Sequence, residues 1–457
     1  MPAFASKRNA LGAAAFIIGA FVVHHLLYAL TKHQWPRIFH DSETFTQIAA
    51  QPLSFDHLFY PKPFVTPAFD RLAGTPDAII KAQVELSFWS WLAFAAVLAG
   101  ATRSRAARIV GPLACAAFVL APIRVGLTAA ILSESVDDSL RVLVVALALA
   151  LVTVAAHAGR RRTLACSAIA VVLVVATTAL VLTRDTDALV VLVAVVIVAW
   201  RGAAWRWWTR ERWALVTLAA ITVVAAFAIE SSRIVPPQPL GLSLTEGWAA
   251  ESTARGNFAL VDDFMFRVMG DPAARARAIA DGMPWSADLE PFAGKFTDDR
   301  FLSEPQFGPT RRWIFAHGAA TYVGWLARHP LARIDEVVAA ASYILPPPDW
   351  TGWYMPHGWR ADDYGGLVMR MFRALTESPA IILALAIAAP LAWRRVRAHR
   401  LAPAIVCILA SAVVGIFAGY YGDAMEMARH AWGAGQQLIV GLVLVIVARL
   451  DTRDEPS

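Results

Sequence analysis

The chain is poor in charged residues and in cysteine. Asp, Glu, Lys and Arg make up only 17% of its 457 residues, whereas a soluble domain averages about 25%. Its three cysteines, Cys115, Cys166 and Cys407, all lie inside apolar runs. They show neither the spacing of a metal site nor that of a disulfide framework. These shortages exclude an ordinary soluble domain and a disulfide-stabilised secreted fold.

Internal repeats, low-complexity segments and a signal-peptide cleavage site are also missing. Lys7-Arg8 stand before an apolar stretch, as in a signal peptide, but the stretch is long and lacks a small-x-small site. We therefore predict a retained first membrane helix. The absence of two similar halves, and of a matching pair of Gly/Pro-broken helices, argues against a transporter.

Apolar residues are abundant instead, at 58% of the chain. A membrane-spanning helix needs about 20 of them in a row, and the sequence predicts an all-α polytopic membrane protein with about ten spans. The predicted spans are residues 10–31, 83–101, 109–132, 139–157, 164–182, 188–201, 213–230, 378–393, 402–420 and 431–449.

Basic clusters recur at every second predicted membrane crossing. They are Lys7-Arg8, Arg103/Arg105/Arg108, Arg160–Arg162, Arg201/Arg206/Arg210/Arg212, Arg394/Arg395/Arg397/Arg400 and Arg449/Arg453. Because Lys and Arg are retained on the cytoplasmic side, both termini are predicted to be cytoplasmic. The net charge of +6 is then explained by topology, and nucleic acid is not an expected partner.

This orientation divides the chain into three predicted parts. Residues 1–230 form a transmembrane module with a first outward loop at 31–80. Residues 231–377 form a soluble, α-rich outward insertion, in which two amphipathic helices are separated by His329-Pro330. Residues 378–457 contain the last membrane helices and a short cytoplasmic tail.

The strongest candidate for chemistry is the segment His40-Asp41-Ser42-Glu43 in the first outward loop. An acid at this position can act as a general base towards a hydroxyl group, with Asp41 the first choice and Glu43 the second. The alternative is structural, because Asp41 or Ser42 can instead cap a short helix over 43–50.

Further charged residues lie in the other outward connections, where charge near hydrocarbon commonly has a task or a partner. The candidates are Lys62, Glu134, Arg184, Asp185, Glu426, Arg429 and His430. The cations among them can hold a phosphate, and the acids can support the site. Structural alternatives stay open, because acids favour helix starts and neighbouring opposite charges form ion pairs. Arg124, after Pro122, either extends outward to the interface or faces a cavity.

This arrangement resembles the GT-C superfamily of polytopic glycosyltransferases, which use polyprenyl-phosphate sugars as donors. The resemblance is carried by the acidic segment after the first helix, by Ser133-Glu134-Ser135 at the outward start of the fourth, and by the late insertion with its His329-Pro330 step. The segment 423–430 is similar to an acid-plus-Arg-His element of some bacterial members.

The resemblance implies an inverting hexosyl- or pentosyltransferase in a bacterial inner membrane. The donor would be a polyprenyl-phosphate sugar, and the acceptor an envelope glycan, lipid or protein. Catalysis by an acid of the first outward loop carries over to Asp41 and, second, to Glu43. Members with paired adjacent acids differ from this chain, so the cofactor is unknown: a divalent metal is neither required nor assigned ligands.

Other functions remain open at this stage. An O-antigen-type polymerase or ligase also has a large outward loop and arginines for a lipid pyrophosphate, although such enzymes usually lack an acid in the first loop. A flippase for lipid-linked sugars and a non-catalytic envelope scaffold are the alternatives from other classes.

Overall fold

A computed structural model describes most of the chain. The described residues are 2–32, 38, 40–60, 62–155, 160–184, 187, 188, 191, 217, 221, 222, 224–226, 228, 229, 231, 232, 257–295, 299–340, 379–397, 399, 401–422 and 427–452. This part is 85% helical and contains no β-strand, so the all-α prediction is confirmed for it.

The helices fall into three groups along the chain. The first comprises α1 Pro2–Lys32, α2 His40–Ala50, α3 Val65–Ala73, α4 Pro76–Ala101, α5 Arg105–Val119, α6 Pro122–Thr128, α7 Ser133–Ala155 and α8 Arg160–Val181. The second comprises α9 Asn257–Asp263, α10 Pro272–Ala280, α11 Asp299–Ser303, α12 Gly308–Trp313, α13 Ala319–Arg328 and α14 Pro330–Ala339. The third comprises α15 Pro379–Val396, α16 Ala402–Tyr421 and α17 Met427–Asp451.

Five helical segments in the described residues are long and apolar enough to cross a membrane. They are Leu11–Lys32, Pro76–Ala101, Leu164–Val181, Ala404–Tyr421 and Gly433–Asp451. The predicted spans 188–201 and 213–230 lie largely outside the described residues. Among the others, α7 carries four charged residues within its first nine positions, which shortens its apolar run.

The predicted span 109–132 is broken in two, because α5 ends at Val119 and α6 begins at Pro122. Proline has no N–H and disfavours helical geometry in the residue before it. The amide of Gln83, oriented by its hydrogen bonds, donates to the Thr128 and Ala130 carbonyls at 2.8 and 3.0 Å. These bonds satisfy carbonyls at and just beyond the C-terminal end of α6, where a helix leaves such groups without intrahelical partners.

Helices α1, α4, α5, α7, α15, α16 and α17 contribute to one apolar core. Helix α4 is central and contacts α1, α5 and α7, while α17 packs against α16, α15 and α5. At one end of this bundle, Asp451 accepts hydrogen bonds from the backbone N–H groups of Arg103 and Ser104, at 2.5 and 2.6 Å. His399 Nε2 lies 3.0 Å from the same carboxylate. Three of the basic clusters therefore meet at one end.

The described part of the insertion packs against the last two helices rather than standing apart. Its core includes a stacked pair, Phe301 and Phe307, with Phe292 edge-on to Phe307. The same apolar cluster contains Ile416 and Tyr421 of α16 and Ala434 of α17. The predicted break at His329-Pro330 is confirmed, since α13 ends at Arg328 and α14 begins at Pro330.

One end of the last hairpin connection, at Tyr420 and Tyr421, is fixed by this packing. The Arg267 side chain donates to the Tyr420 carbonyl, and its guanidinium carbon lies 4.5 and 4.7 Å from the ring centroids of Tyr420 and Tyr421. Tyr322 donates its hydroxyl to the Tyr421 carbonyl at 2.7 Å. These donors satisfy carbonyls that a helix C-terminus leaves without intrahelical partners, and they anchor the insertion there.

Candidate functional site

The first turns of α7 hold a cluster of buried ion pairs, which we name the α7 ionic cluster. Its members are Glu134, Asp137, Asp138 and Arg141 of α7, with Arg124 of α6 and with Arg184 and Asp187 after α8. Five of these seven side chains are at most 8% exposed, and the other two, Asp138 and Arg184, are 13% and 12% exposed. Their burial explains why every one of them needs an opposite charge.

The pairing within the cluster crosses three segments of the chain. Arg124 pairs with Asp138. Arg141 Nε lies 3.0 Å from Asp137 Oδ2, and its other end pairs with Asp187. The start of α7 is therefore tied both to the short helix before it and to the segment that follows α8.

Arg184 completes the cluster, with its Nη2 lying 3.3 Å from Glu134 Oε1. From the sequence, Arg184 could be either a phosphate ligand or an ion-pair partner. In the structure its charge is already matched by Glu134, and the predicted local pair with Asp185 is not described because Asp185 lies outside the described residues.

Arg124 is enclosed by the protein. Its side chain is buried, and its guanidinium carbon lies 4.9 Å from the centroid of the Trp91 ring. A desolvated guanidinium over an indole gains a cation–π attraction in addition to its ion pair. Arg124 therefore interacts with Asp138 and Trp91 inside the protein.

The acidic segment of the first loop docks onto the residues that precede α7. Ser42 is buried in the first turn of α2, and its Oγ donates to the Ile131 carbonyl at 2.6 Å. The capping interpretation of Ser42 is therefore wrong, because α2 begins at His40 and Ser42 bonds across to another segment. Asp41 lies beside it in the same turn, with a side chain outside the described part, and Glu43 is exposed.

Lys62 belongs to the same region. Its Nζ lies 5.6 Å from the ring centroid of Phe45, which is a buried residue of α2. The loop cation is thus held next to the helix that carries Asp41. Attraction to an aromatic ring leaves the formal charge in place, so Lys62 can still attract an anion.

The late Arg-His element lies on a helix that also reaches the α7 ionic cluster. A Cβ added to Gly433 of α17 would lie 3.8 Å from both Cζ and Nε of Arg141 and 3.8 Å from Asp137 Oδ2. Arg429 precedes Gly433 by four residues, or about one helical turn, and His430 follows Arg429. The side chains of both, and the whole of Asp423 and Glu426, lie outside the described residues.

The charges of the α7 ionic cluster do not leave a surplus for an anion. Its members contribute four carboxylates and three guanidinium groups, a formal net charge of −1. A phosphate near this cluster therefore depends on cations outside it. Among the predicted residues, these are Lys62, Arg429 and His430.

A second buried acid, Asp70 on α3, was not predicted as a site residue. It is 1% exposed, and neither carboxylate oxygen has a hydrogen-bond partner among the described residues. Burial raises its pKa to about 7 from an ordinary value of 3.8. Thr66, one turn earlier on the same buried face, also has an Oγ1 without a partner in the described part.

Comparisons with protein-family models, curated proteins and solved structures found no match to this chain. The described residues also contain no group of three or more His, Cys, Asp or Glu side chains placed to hold a metal ion. The candidate site therefore rests on its own geometry.

Sequence reasoning selected Glu134 and Arg184 but missed Arg141 of the α7 ionic cluster and the buried acid Asp70. Arg141 had a detectable signal, since it follows Asp137 by four residues and this spacing places both on one helix face. Asp70 had no comparable signal. It lies in Val65–Ala73 beside Arg71, and only the packing of α3 reveals that it is buried while Arg71 is exposed.

Proposed function

We propose that the chain is an inverting GT-C-type glycosyltransferase that transfers a sugar from a polyprenyl-phosphate donor to a hydroxyl group of an envelope glycan, lipid or protein. The observation that carries this proposal is the hydrogen bond from Ser42 to Ile131. It joins the acidic segment after α1 to the segment leading into Ser133-Glu134-Ser135. These are two of the features on which the family resemblance rests.

Two further contacts support a common site. Arg184 pairs with Glu134, and Gly433 of α17 lies against the Arg141–Asp137 pair. Segments that are far apart in the sequence, and that were selected for separate reasons, thus approach the start of α7. Convergence of this kind is typical of a binding or catalytic site.

In the proposed reaction, Asp41 receives the proton of the acceptor hydroxyl, with Glu43 the second choice. The acceptor oxygen attacks the anomeric carbon of the donor, and the bond from that carbon to the phosphate oxygen breaks. Polyprenyl phosphate leaves with the bonding electrons. Negative charge grows on the phosphate as this bond breaks, so nearby cations stabilise the transition state more than the ground state.

Lys62, Arg429 and His430 are the proposed phosphate ligands. Arg184 contributes only if the phosphate replaces Glu134 as its partner. Glu134, Asp185 and Glu426 are the proposed supporting acids. A divalent metal is not part of the proposal.

Replacement of Asp41 by Asn tests the proposed base. Asn keeps the shape of Asp but cannot accept the proton, so turnover is expected to fall at least about 100-fold. The assay is release of polyprenyl phosphate from a panel of polyprenyl-phosphate hexoses and pentoses, with purified full-length protein of matched melting temperature. Glu43→Gln is the matched control, with a smaller expected effect.

Two results would contradict this scheme at different levels. Near-wild-type turnover by Asp41→Asn would show that Asp41 is not the base, and Glu43 would then be the next candidate. Absence of transfer by the wild-type protein from every donor of the panel would overturn the proposed function itself.

The proposed orientation places α2 outside and the loop between α4 and α5 inside. In a Cys166→Ser background, an impermeant thiol reagent is expected to label Ala50→Cys in intact cells and Ala106→Cys only after permeabilisation. Both positions are exposed, whereas Cys115 and Cys407 are buried. The reverse labelling pattern would invert the topology and place the candidate site in the cytoplasm.

A further inference from the structure

The α3 polar face, formed by Thr66 and Asp70, is the one place in the described residues where both oxygens of a buried carboxylate lack a partner. Thr66 and Asp70 are 0% and 1% exposed. A buried polar group without a hydrogen bond costs about 1–3 kcal/mol, and more when it is charged. A ligand that forms the missing hydrogen bond would remove this cost, so a buried carboxylate without a partner is suited to ligand binding.

The position of this face is fixed from both sides. Arg71 Nη1 donates to the Ala49 and Gln51 carbonyls at 3.0 and 2.6 Å, which ties α3 to the end of α2. The backbone N–H of Val65 donates to the Leu182 carbonyl at 3.1 Å, which ties α3 to the end of α8. Asp70 is therefore held in place by its helix rather than buried by a loosely packed loop.

The same helix connects this face to the α7 ionic cluster. Phe69, which precedes Asp70, packs against the apolar cluster that contains Val136 of α7 and against the one that contains Ile131. Ile131 is also the residue whose carbonyl receives the Ser42 hydrogen bond. The α3 polar face thus belongs to the set of elements that gather around the start of α7.

The chemistry of the two side chains favours one class of guest. A hydroxyl group can donate to a carboxylate oxygen and accept from the Thr66 hydroxyl, or accept from Asp70 when that group is protonated. An ammonium or metal cation pairs only with the ionised form. Because burial places the pKa of Asp70 at about 7, both forms are present near neutral pH, and a hydroxyl group satisfies either.

We infer that Thr66 and Asp70 form a buried binding site for a hydroxyl group of a carbohydrate. The further assignment of that carbohydrate to the acceptor rests on the proposed transferase function. In this role Asp70 orients and selects the acceptor, while the proton of the reacting hydroxyl goes to Asp41.

Such a site discriminates strongly between related ligands. A ligand that lacks the bound hydroxyl leaves Asp70 buried and unpaired, and sites built around a substrate hydroxyl reject the analogue without it far more strongly than an apolar pocket rejects a missing methylene. Deoxy sugars are therefore the sharpest probes.

The test uses full-length protein in nanodiscs and the methyl glycosides of glucose, galactose, mannose and arabinose as probes. At least one glycoside is expected to raise the melting temperature of the wild-type protein. Asp70→Leu is expected to weaken its binding about 10- to 100-fold, Asp70→Asn by less, and Thr66→Val by the least. Asp56→Asn, at an exposed acid of the same loop, is the control and should bind normally.

Monodeoxy versions of the glycoside that binds complete a ligand–variant cycle. One of them should lose affinity for the wild-type protein but lose no more for Asp70→Leu, because both changes remove the same hydrogen bond. Where Asp70→Leu does not fold, Asp70→Asn takes its place in the cycle.

The possible outcomes separate this inference from the proposed function. No Asp70-dependent binding of any glycoside, or Asp70-dependent binding of methylamine instead, would overturn the hydroxyl site. Transfer with an unchanged acceptor KM in Asp70→Leu would overturn its assignment to the acceptor while the transferase stands. If glycosides bind in an Asp70-dependent way but no donor supports transfer, the proposed transferase function is contradicted and the carbohydrate site is supported.

Discussion

The α7 ionic cluster and the α3 polar face bury charge in opposite ways. In the cluster, each charged side chain has an opposite charge nearby, and the pairs join three segments of the chain. On α3, Asp70 has neither a cation nor a hydrogen-bond donor in the described part. Paired charges of the first kind hold helices in register, whereas a buried carboxylate of the second kind lowers stability and needs a different reason to be retained.

Replacement of Arg141 is the most direct test of whether the paired charges stabilise the fold. Replacing it by Met leaves Asp137 and Asp187 buried without their cation, which is expected to cost about 3–5 kcal/mol or to prevent folding. The measurement is the melting temperature and the yield of monodisperse protein in detergent.

A compensated variant serves as the control for Arg141. Adding Asp137→Asn and Asp187→Asn to Arg141→Met removes the stranded charges and should recover much of the lost stability. A melting temperature for Arg141→Met equal to that of the wild type would show that the pairs are not structural.

Asp70→Asn should act in the opposite direction and depend on pH. The folded pKa of Asp70 is about 7 and the ordinary value is 3.8, so between about pH 4 and about pH 7 the folded protein keeps a proton that the unfolded chain releases. Wild-type stability therefore falls as pH rises through this window, by at most about 4 kcal/mol.

Asn does not titrate, so the melting temperature of Asp70→Asn relative to wild type should rise from pH 4 to pH 7 and then stay constant. Asp56→Asn provides the flat reference, since that acid is exposed. A pH-independent difference between Asp70→Asn and wild type would mean that Asp70 ionises normally in the folded protein.

Substitutions at Gly433 are expected to have the smallest effect on stability. They test whether α17 packs against the α7 ionic cluster, and they leave every charge in place. An Ala at this position meets Arg141 and Asp137 at ordinary van der Waals distance, 3.8 Å, and should be tolerated. A Leu extends beyond that contact and is expected to cost about 1–3 kcal/mol through overpacking. Equal melting temperatures for Gly433→Ala and Gly433→Leu would show that α17 does not pack closely against the α7 ionic cluster.

The sequence was most informative where one segment decides the outcome locally. His329-Pro330 separates α13 from α14, as the preferences of proline predict. Thr75-Pro76 begins α4, with the Thr75 hydroxyl accepting from Ala78 N–H at 3.3 Å, whereas the span predicted from apolar length begins only at residue 83. Pro122 carries the same kind of local signal and breaks the predicted span 109–132, although that run is long and apolar.

The partners within the candidate site were not predictable in the same way. Arg184 and Glu134 are 50 residues apart and Arg141 and Asp187 are 46 apart, so their pairing depends on how α7 and α8 pack. Selecting charged residues of the predicted outward connections identified Glu134, Arg184 and Asp187 but not Arg141. Asp70 is buried because α3 contacts several other elements, and no local sequence pattern predicts this burial.

The hydrogen bonds at Asp451 have a consequence for biosynthesis. The N–H groups of Arg103 and Ser104 at the start of α5 find their acceptor 348 and 347 residues later in the chain. A ribosome adding about 5–20 residues per second completes that acceptor roughly 20–70 seconds after α5 has been made. During that interval the start of α5 lacks this acceptor, so truncation before Asp451 is expected to leave α4 and α5 without their link to the last helix.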